Sequence, residues 1–312
     1  MKKRIIYSLI ESLNDLSMED VSLLQRAVEV KALQQESKWM FQRQSEAVNQ
    51  CPHCKSNAII KHGQAQGRQR FRCKACSKTF NALTNSPLAR LRHSEKHSIQ
   101  TACMLDSLSI RKSMVKLGVS ISTAFRWRHR FLKAIQIIQP ERMSGVVEAD
   151  ETFFRKSYKG QRKNMPRKSY KRGTKAELRG LSHEQVPVLI ARDRSQQITL
   201  STILPGRTKV AIVDALGKVV QAQETIVCAD GTAIYAGLHS QCNITVKSSK
   251  KSRSGAYHIQ NVNAACNRLK GWMFPFQGVA TKYLENYLGW HRWMETMGKE
   301  ATPQNLWKAA WA

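Results

Sequence analysis

Val146-Val147-Glu148-Ala149-Asp150-Glu151-Thr152-Phe153-Phe154 is the stretch that decides the fold. Apolar residues lead in and two Phe lead out, which reads as a buried strand. Three acids stand in its middle. A strand with carboxylates in its interior either pairs them or uses them. Carboxylates fixed on rigid backbone suit a hard, oxygen-seeking cation such as Mg²⁺. The competing reading is an edge strand whose acids face water, and the rest of the chain decides between the two.

The sequence has 312 residues, room for two or three domains and a sizeable core. Its 51 Lys+Arg against 22 Asp+Glu give a net charge of +29, so a polyanionic partner is expected, most simply nucleic acid. An RNA-bound structural protein or a membrane-surface binder would share that charge. No apolar run of about 18 residues is present, so no transmembrane span is expected. The basic start Met1-Lys2-Lys3-Arg4 is followed too soon by Glu11, Asn14 and Asp15 to read as a signal peptide. An intracellular, cytoplasmic chain is expected, and its eight Cys are then not disulfides.

Upstream of the central strand, residues 1–48 read as a helical arm. Leu9, Leu13 and Leu16 keep helical spacing, Ser17 caps a second helix with Asp20 three residues on, and Val21, Leu24, Val28 and Leu33 line its apolar face. The arm reads either as an oligomerisation device or as a helical hairpin packed on its neighbour. Within residues 49–82, Cys51-Pro52-His53-Cys54 and Cys73-Lys74-Ala75-Cys76 match the four-thiolate zinc pattern of a zinc ribbon. Arg68, Arg70 and Arg72 make the ribbon basic, which suits DNA phosphates.

Residues 94–140 read as three helices, with Gly118-Val119-Ser120 as a tight turn before the last. That is a helix-turn-helix pattern. Ser120, Ser122, Thr123 and Arg126 are then candidates for base contact, and Arg128 and Arg130 for phosphates. An ordinary three-helix core with a basic face is the plainer alternative.

Beyond Phe154, residues 155–180 form a Lys/Arg-rich insert that cannot bury a core and is expected to order on DNA. Strands are expected over 186–193, 197–203, 225–231 and 243–246, with helices over 208–220 and 234–239. Three strands, helix, strand, helix, strand, helix is the order of a ribonuclease-H-like α/β domain, placed at 145–293, and residues 294–312 form a tail. In that order Asp150 lies on the first strand and Asp230 at the end of the fourth, where adjacent strands bring both carboxylates into one site.

With the ribbon and helix-turn-helix upstream, this chain resembles the bacterial insertion-sequence transposases of the DDE superfamily, in particular the ISXO-like group with an N-terminal zinc ribbon. The resemblance rests on the four Cys, on Glu148-Ala149-Asp150-Glu151-Thr152, on Ala229-Asp230-Gly231, and on His258-Ile259-Gln260-Asn261-Val262-Asn263 running into Arg268-Leu269-Lys270. It implies catalytic residues Asp150, Asp230, Asn263 and Lys270. Asp150, Asp230 and Asn263 would hold Mg²⁺ (or Mn²⁺), and the Cys would hold structural Zn²⁺. The superfamily norm at the third position is Glu; an Asn oxygen still ligates Mg²⁺ without bringing charge. Lys270 follows seven residues later, two turns along one helix face. Glu148 and Glu151, flanking Asp150, are expected to point away from it. The resemblance also implies a nucleoid-associated bacterial protein acting as at least a dimer on element ends and target DNA. A DNA-binding protein with a decayed core, or a nuclease of the same fold, are the competing functions.

Overall fold

A computed structural model describes residues 2–311 except 87, 137, 139–141, 162, 168–177, 179–181, 196–197, 231–232, 243–244 and 249–256. Half of the expected basic insert and the start of the last expected strand thus lie outside the described residues. The chain forms two compact units, one of residues 1–106, 113–127 and 303–312, the other of 107–112 and 128–302.

The first unit holds α1 (Lys2–Glu11), α2 (Met18–Glu46), β1 (Ile59–Ala65), β2 (Arg68–Cys73), β3 (Thr79–Phe80), α3 (His97–Leu105) and α10 (Pro303–Trp311), with α4 (Ile110–Leu117) and α5 (Ile121–Gln136) in part. Ser17 starts α2 with a reciprocal capping box, its side chain accepting from the Asp20 N–H while the Asp20 carboxylate accepts from Ser17. Only the far end of α2 is buried. Ser37 hydrogen-bonds Ser98 of α3 at 2.8 Å, and Phe41 meets the fully buried Trp307 of α10 edge-on at 4.9 Å. The tail expected at 294–312 therefore returns to pack on the N-terminal helices. Removing an aromatic so enclosed costs about 3–5 kcal/mol. The near end of α2 and the described side chains of α1 stay exposed: Ile5 57%, Leu23 67% and Val28 60%. Leu24 and Val28, expected on the apolar face of this helix, are exposed.

The strands β1, β2 and β3 form a three-stranded antiparallel sheet. Ala65 pairs with Arg68 around Gln66-Gly67, both at positive φ, the primed hairpin turn for which Gly is suited. Gly118, at φ +58, closes α4 ahead of α5, and Lys96 donates to the Leu117 and Gly118 carbonyls there.

The second unit is built on β4 (Met143–Arg155), β5 (Gln185–Asp193), β6 (Thr199–Ile203), β7 (Val220–Ala229) and β8 (Thr245–Ser248). Their order in the sheet is β6-β5-β4-β7-β8. β4 pairs antiparallel with β5 and parallel with β7, and β7 parallel with β8. α6 (Lys209–Gly217) and α7 (Ala236–Cys242) cover one face, burying Val147, Ala149, Ile212, Leu216 and Leu238. α8 (Gln260–Met273) and α9 (Leu284–Met297) cover the other, burying Val188, Ile190, Val262, Leu269 and Leu288. The central strand is thus covered on both sides, which excludes the edge-strand reading of its acids.

Candidate active site and four-cysteine centre

Strand pairing brings the two aspartates together. β4 and β7 are in register as far as Glu148 opposite Cys228. Carried two residues further, that register leads Asp150 toward Asp230, the residue after β7, whose charge acts on it. β7 ends at Ala229 while β4 runs on to Arg155, so both aspartates lie at the carboxyl end of the parallel pairing, where open α/β sheets bind ligands.

Asp150 pairs with Ile190 and lies on the α8 side of the sheet. Its Oδ1 accepts from the Glu151 N–H at 2.9 Å. Burial raises its pKa, and the Glu151 and Asp230 charges add to the rise, against Arg207. Glu151 turns to the other face, as expected. There its side chain is 3% exposed, 2.9 Å from Arg207 Nε, and faces the buried Tyr235 hydroxyl.

α8 supplies the third side. Val262, Ala265, Cys266 and Leu269 pack on the sheet, and Asn263 and Lys270 stand exposed two turns apart. Cys266, on the sheet-facing side of α8, feels both charges. Burial first, and then the Asp150 carboxylate, push its thiol up to about 11, while the Lys270 ammonium pulls it down. Asp150 and Lys270 therefore act on one sulfur. The donor set fits a hard divalent cation: two carboxylates crowd one another and an amide oxygen stands on the neighbouring helix.

Glu148 does not point away from Asp150. Two residues apart on a strand, both lie on the α8 side. Glu148 is fully buried, and its carboxylate accepts from Arg194 Nε at 2.6 Å, the Asn261 N–H at 2.7 Å, the Val262 N–H at 3.1 Å and Asn261 Nδ2 at 2.7 Å. His258 Nδ1 lies 3.4 Å away, and Arg194 donates to the His258 carbonyl at 3.0 Å. Glu148 is the cap of α8, reached across from the sheet, and His258 serves the helix start. Strand parity could have shown this side for Glu148; nothing in the spacing of Arg194 or Arg207 announced their roles.

The sulfurs of Cys51, Cys54, Cys73 and Cys76 all lie within 4.8 Å of one another, with Cys51–Cys76 at 3.7 Å and Cys54–Cys73 at 3.5 Å. A tetrahedron with metal–sulfur bonds of about 2.3 Å has sulfur–sulfur edges of about 3.8 Å, so this cluster fits such a metal. His53 is exposed. Cys103, Cys228 and Cys266 are buried and outside any disulfide.

The expected DNA contacts divide. Arg72, Ser122, Arg126 and Arg130 are exposed, Thr123 is half-buried, and Arg70 is half-buried with a bond to Thr79 Oγ1 at 3.2 Å. Arg68 is instead buried, donating to the Leu91 carbonyl at 3.4 Å with its guanidinium over Phe41 at 5.5 Å. Arg128 is fully buried over the Trp290 ring at 5.3 Å. Neither presents a charge to a phosphate. Both are snorkel-length side chains recruited by aromatic rings, which Arg favours.

Among the described residues no helix is long and apolar enough to cross a membrane. Residues 142–296 match the family model described as an ISXO2-like transposase domain. The chain is also 26% identical over 250 residues, 76% of this chain and 82% of the relative, to the uncharacterized protein in transposable element ISH50 of Halobacterium salinarum.

Proposed function

Residues 142–296 are an ISXO2-like transposase domain, and from that premise we propose that the protein binds the ends of its insertion sequence and catalyses metal-dependent DNA cleavage and strand transfer. The observation that supports this is the charge effect of Asp230, just past β7, on Asp150 of the neighbouring strand β4, on the sheet face covered by α8, which bears Asn263 and Lys270. The sheet order, with three antiparallel strands followed by two parallel ones, supports a ribonuclease-H-like reading of the domain.

Asp150, Asp230 and Asn263 would hold Mg²⁺, which supplies charge neutralisation and activation of an attacking oxygen when bound. The chain's own residues do the rest. Lys270 grips a phosphate of the strand being cut. Glu148 fixes the start of α8, and so the spacing of Asn263 and Lys270 from Asp150. Arg207 takes up the charge of Glu151 and keeps it on the other face. Phosphoryl transfer needs positioning and charge stabilisation, so no nucleophilic side chain is required. In the ribbon, the four Cys would hold Zn²⁺ as a structural centre. Arg70, Arg72, Ser122, Thr123, Arg126 and Arg130 would meet DNA.

The arm supports self-association on DNA, at least as a dimer. Residues 2–31 carry five cations and five acids, so this segment is neutral on a chain of +29. Lys2-Lys3-Arg4 stands at one end of α1, and Glu11, Asp15, Glu19 and Asp20 at and beyond the other, so an antiparallel copy matches charge and covers Ile5, Ile10, Leu13 and Leu16. Deleting residues 2–16 should leave a monomer by sedimentation; an unchanged dimer removes the arm from assembly.

The test of the activity is a cleavage and joining assay with labelled duplex carrying the element's ends, Mg²⁺ or Mn²⁺, and Asp150→Ala alongside. Joined product from the wild type alone is expected. Nicking without joining would make it a nuclease, and end binding with no metal-dependent product would make it a DNA-binding remnant.

A further inference from the structure

A cavity of about 720 Å³ opens beside Lys270, between the segment leaving β4 and the segment following α8. Its volume lies within the roughly 300–1,000 Å³ that takes a small organic ligand. Five cations line it, Arg155, Lys156, Lys159, Arg167 and Lys270, and none of its lining residues is an acid. Its walls are pinned. Ser157 and Thr281 exchange two bonds, the Ser157 N–H to Thr281 Oγ1 and the Thr281 N–H to the Ser157 carbonyl, both 2.8 Å. Lys159 Nζ donates to the Gly278 carbonyl at 2.8 Å and the Gln277 carbonyl at 3.0 Å. Arg167 donates to the Lys156 carbonyl at 3.1 Å and lies over the Tyr158 ring at 5.4 Å.

The aromatic content gives the ligand its class. Phe274 follows Lys270 by one helical turn, lines the same cavity and is 76% exposed. A cation for a phosphate and an open ring four residues on is the chemistry that binds single-stranded nucleic acid. A duplex hides its base faces in the stack, so an exposed ring in a cationic cavity suits a base that has left it. At about 1.5 Å per residue Phe274 stands about 16 Å along the helix from Asn263, which is up to about five stacked nucleotides of one strand.

We propose that this cavity takes an unpaired nucleotide of the bound DNA, its base on Phe274 and its phosphates on Lys270 and Lys156. The placement of that nucleotide a few positions from the scissile phosphate rests on the transposase reading; binding in the cavity does not.

The experiment uses the full chain without divalent metal and two duplexes of equal length, one blunt and one with a five-nucleotide single-stranded end carrying 2-aminopurine. The wild type should prefer the single-stranded end by roughly tenfold, with quenched fluorescence, the effect of stacking about one base. Phe274→Ala should lose the preference and the quenching and keep its affinity for the blunt duplex, while Phe274→Trp keeps all three. Equal binding of both duplexes by the wild type, or a preference surviving Phe274→Ala, overturns the proposal. Overhang preference with no strand joining would sink the transposase reading alone; joining with no preference would sink the cavity alone.

Discussion

The fully buried Glu148 carboxylate holds Arg194 Nε at 2.6 Å and, with its other oxygen, the Asn261 and Val262 N–H groups that begin α8. The strand bearing Asp150 and the helix bearing Asn263 and Lys270 are thereby tied at one point. A carboxylate at a helix N-terminus satisfies orphan donors and meets the positive end of the dipole. Glu148→Ala should cost the unfolding free energy about 3–5 kcal/mol, since it leaves Arg194 and the helix start without their acceptor. Glu148→Gln keeps the shape and loses the charge, and strand joining should fall about 10–100-fold, as for partners that orient a metal's ligands. A Gln variant that melts and joins as the wild type does would show that α8 is held by its apolar face alone.

The Asp150 pair predicts a trade of stability for function. Asp150 has a raised pKa in the folded chain, from burial and then from Glu151 and Asp230, so its ionised form is disfavoured on folding. That penalty is absent below the ordinary value of 3.8, grows as pH rises to the folded value, and is constant above it. Asp150→Asn should therefore raise the melting temperature at neutral pH, by an amount that shrinks as pH falls toward 3.8, while abolishing cleavage. Adding Mg²⁺ should raise the melting temperature of the wild type and leave the variant where it was. An Asn variant less stable than the wild type at pH 7 would mean that the carboxylate is paired in the apo protein.

Arg126 and Arg128, neighbours on α5, should separate DNA binding from packing. Arg126 is exposed, and its replacement by Ala should lower the slope of log affinity on log salt by about 1 with little change in melting. Arg128 is fully buried against Trp290, so its replacement should lower the melting temperature and leave the salt slope alone. Both variants reducing the slope equally would place Arg128 at the DNA after all.

Much of this was legible in advance, and the failures have a common cause. The β4 strand, the Ser17 cap, the four Cys and the placement of Asp230 one residue past β7 all follow from local spacing, which sequence carries directly. Arg68 and Arg128 look like every other Arg of a basic chain. What distinguishes them is Phe41 and Trp290, which lie 27 and 162 residues away. The tail was opaque for the same reason: Trp307 meets Phe41 only once the chain has returned. What covers Leu24 and Val28 was open in the sequence, because periodicity shows that a helix has an apolar face and does not say what packs on it.

The ribbon should depend on its metal. Besides the four Cys its core has little more than Phe71 stacked on Phe80 at 5.6 Å and Val48 and Ile59 beside them. So small an apolar cluster does not hold three short strands unaided. A strong chelator, or Cys73→Ser, should release one zinc per chain and lose the amide protection of β1 and β2, with the α/β unit's melting unchanged. Full protection of the ribbon in metal-free protein would make the four thiols dispensable to its fold.

Acid should weaken the N-terminal unit through His97. This ring is fully buried, 5.9 Å from Phe41 and 5.5 Å from Trp127. Burial, and then the Arg68 charge, pull its pKa down to about 4, against the Arg92 backbone bond and Glu95. The unfolded chain takes up this proton near 6.5, so between about 6.5 and 4 the unfolded state binds more protons than the folded one. Stability must then fall as pH falls through that window, by about 3 kcal/mol when the whole interval is crossed. His97→Phe removes the titration and keeps a ring in the site. The gap between variant and wild-type unfolding free energies should therefore shift in the variant's favour from pH 7 to pH 4. Parallel curves would mean that His97 takes its proton inside the folded core at its ordinary pKa.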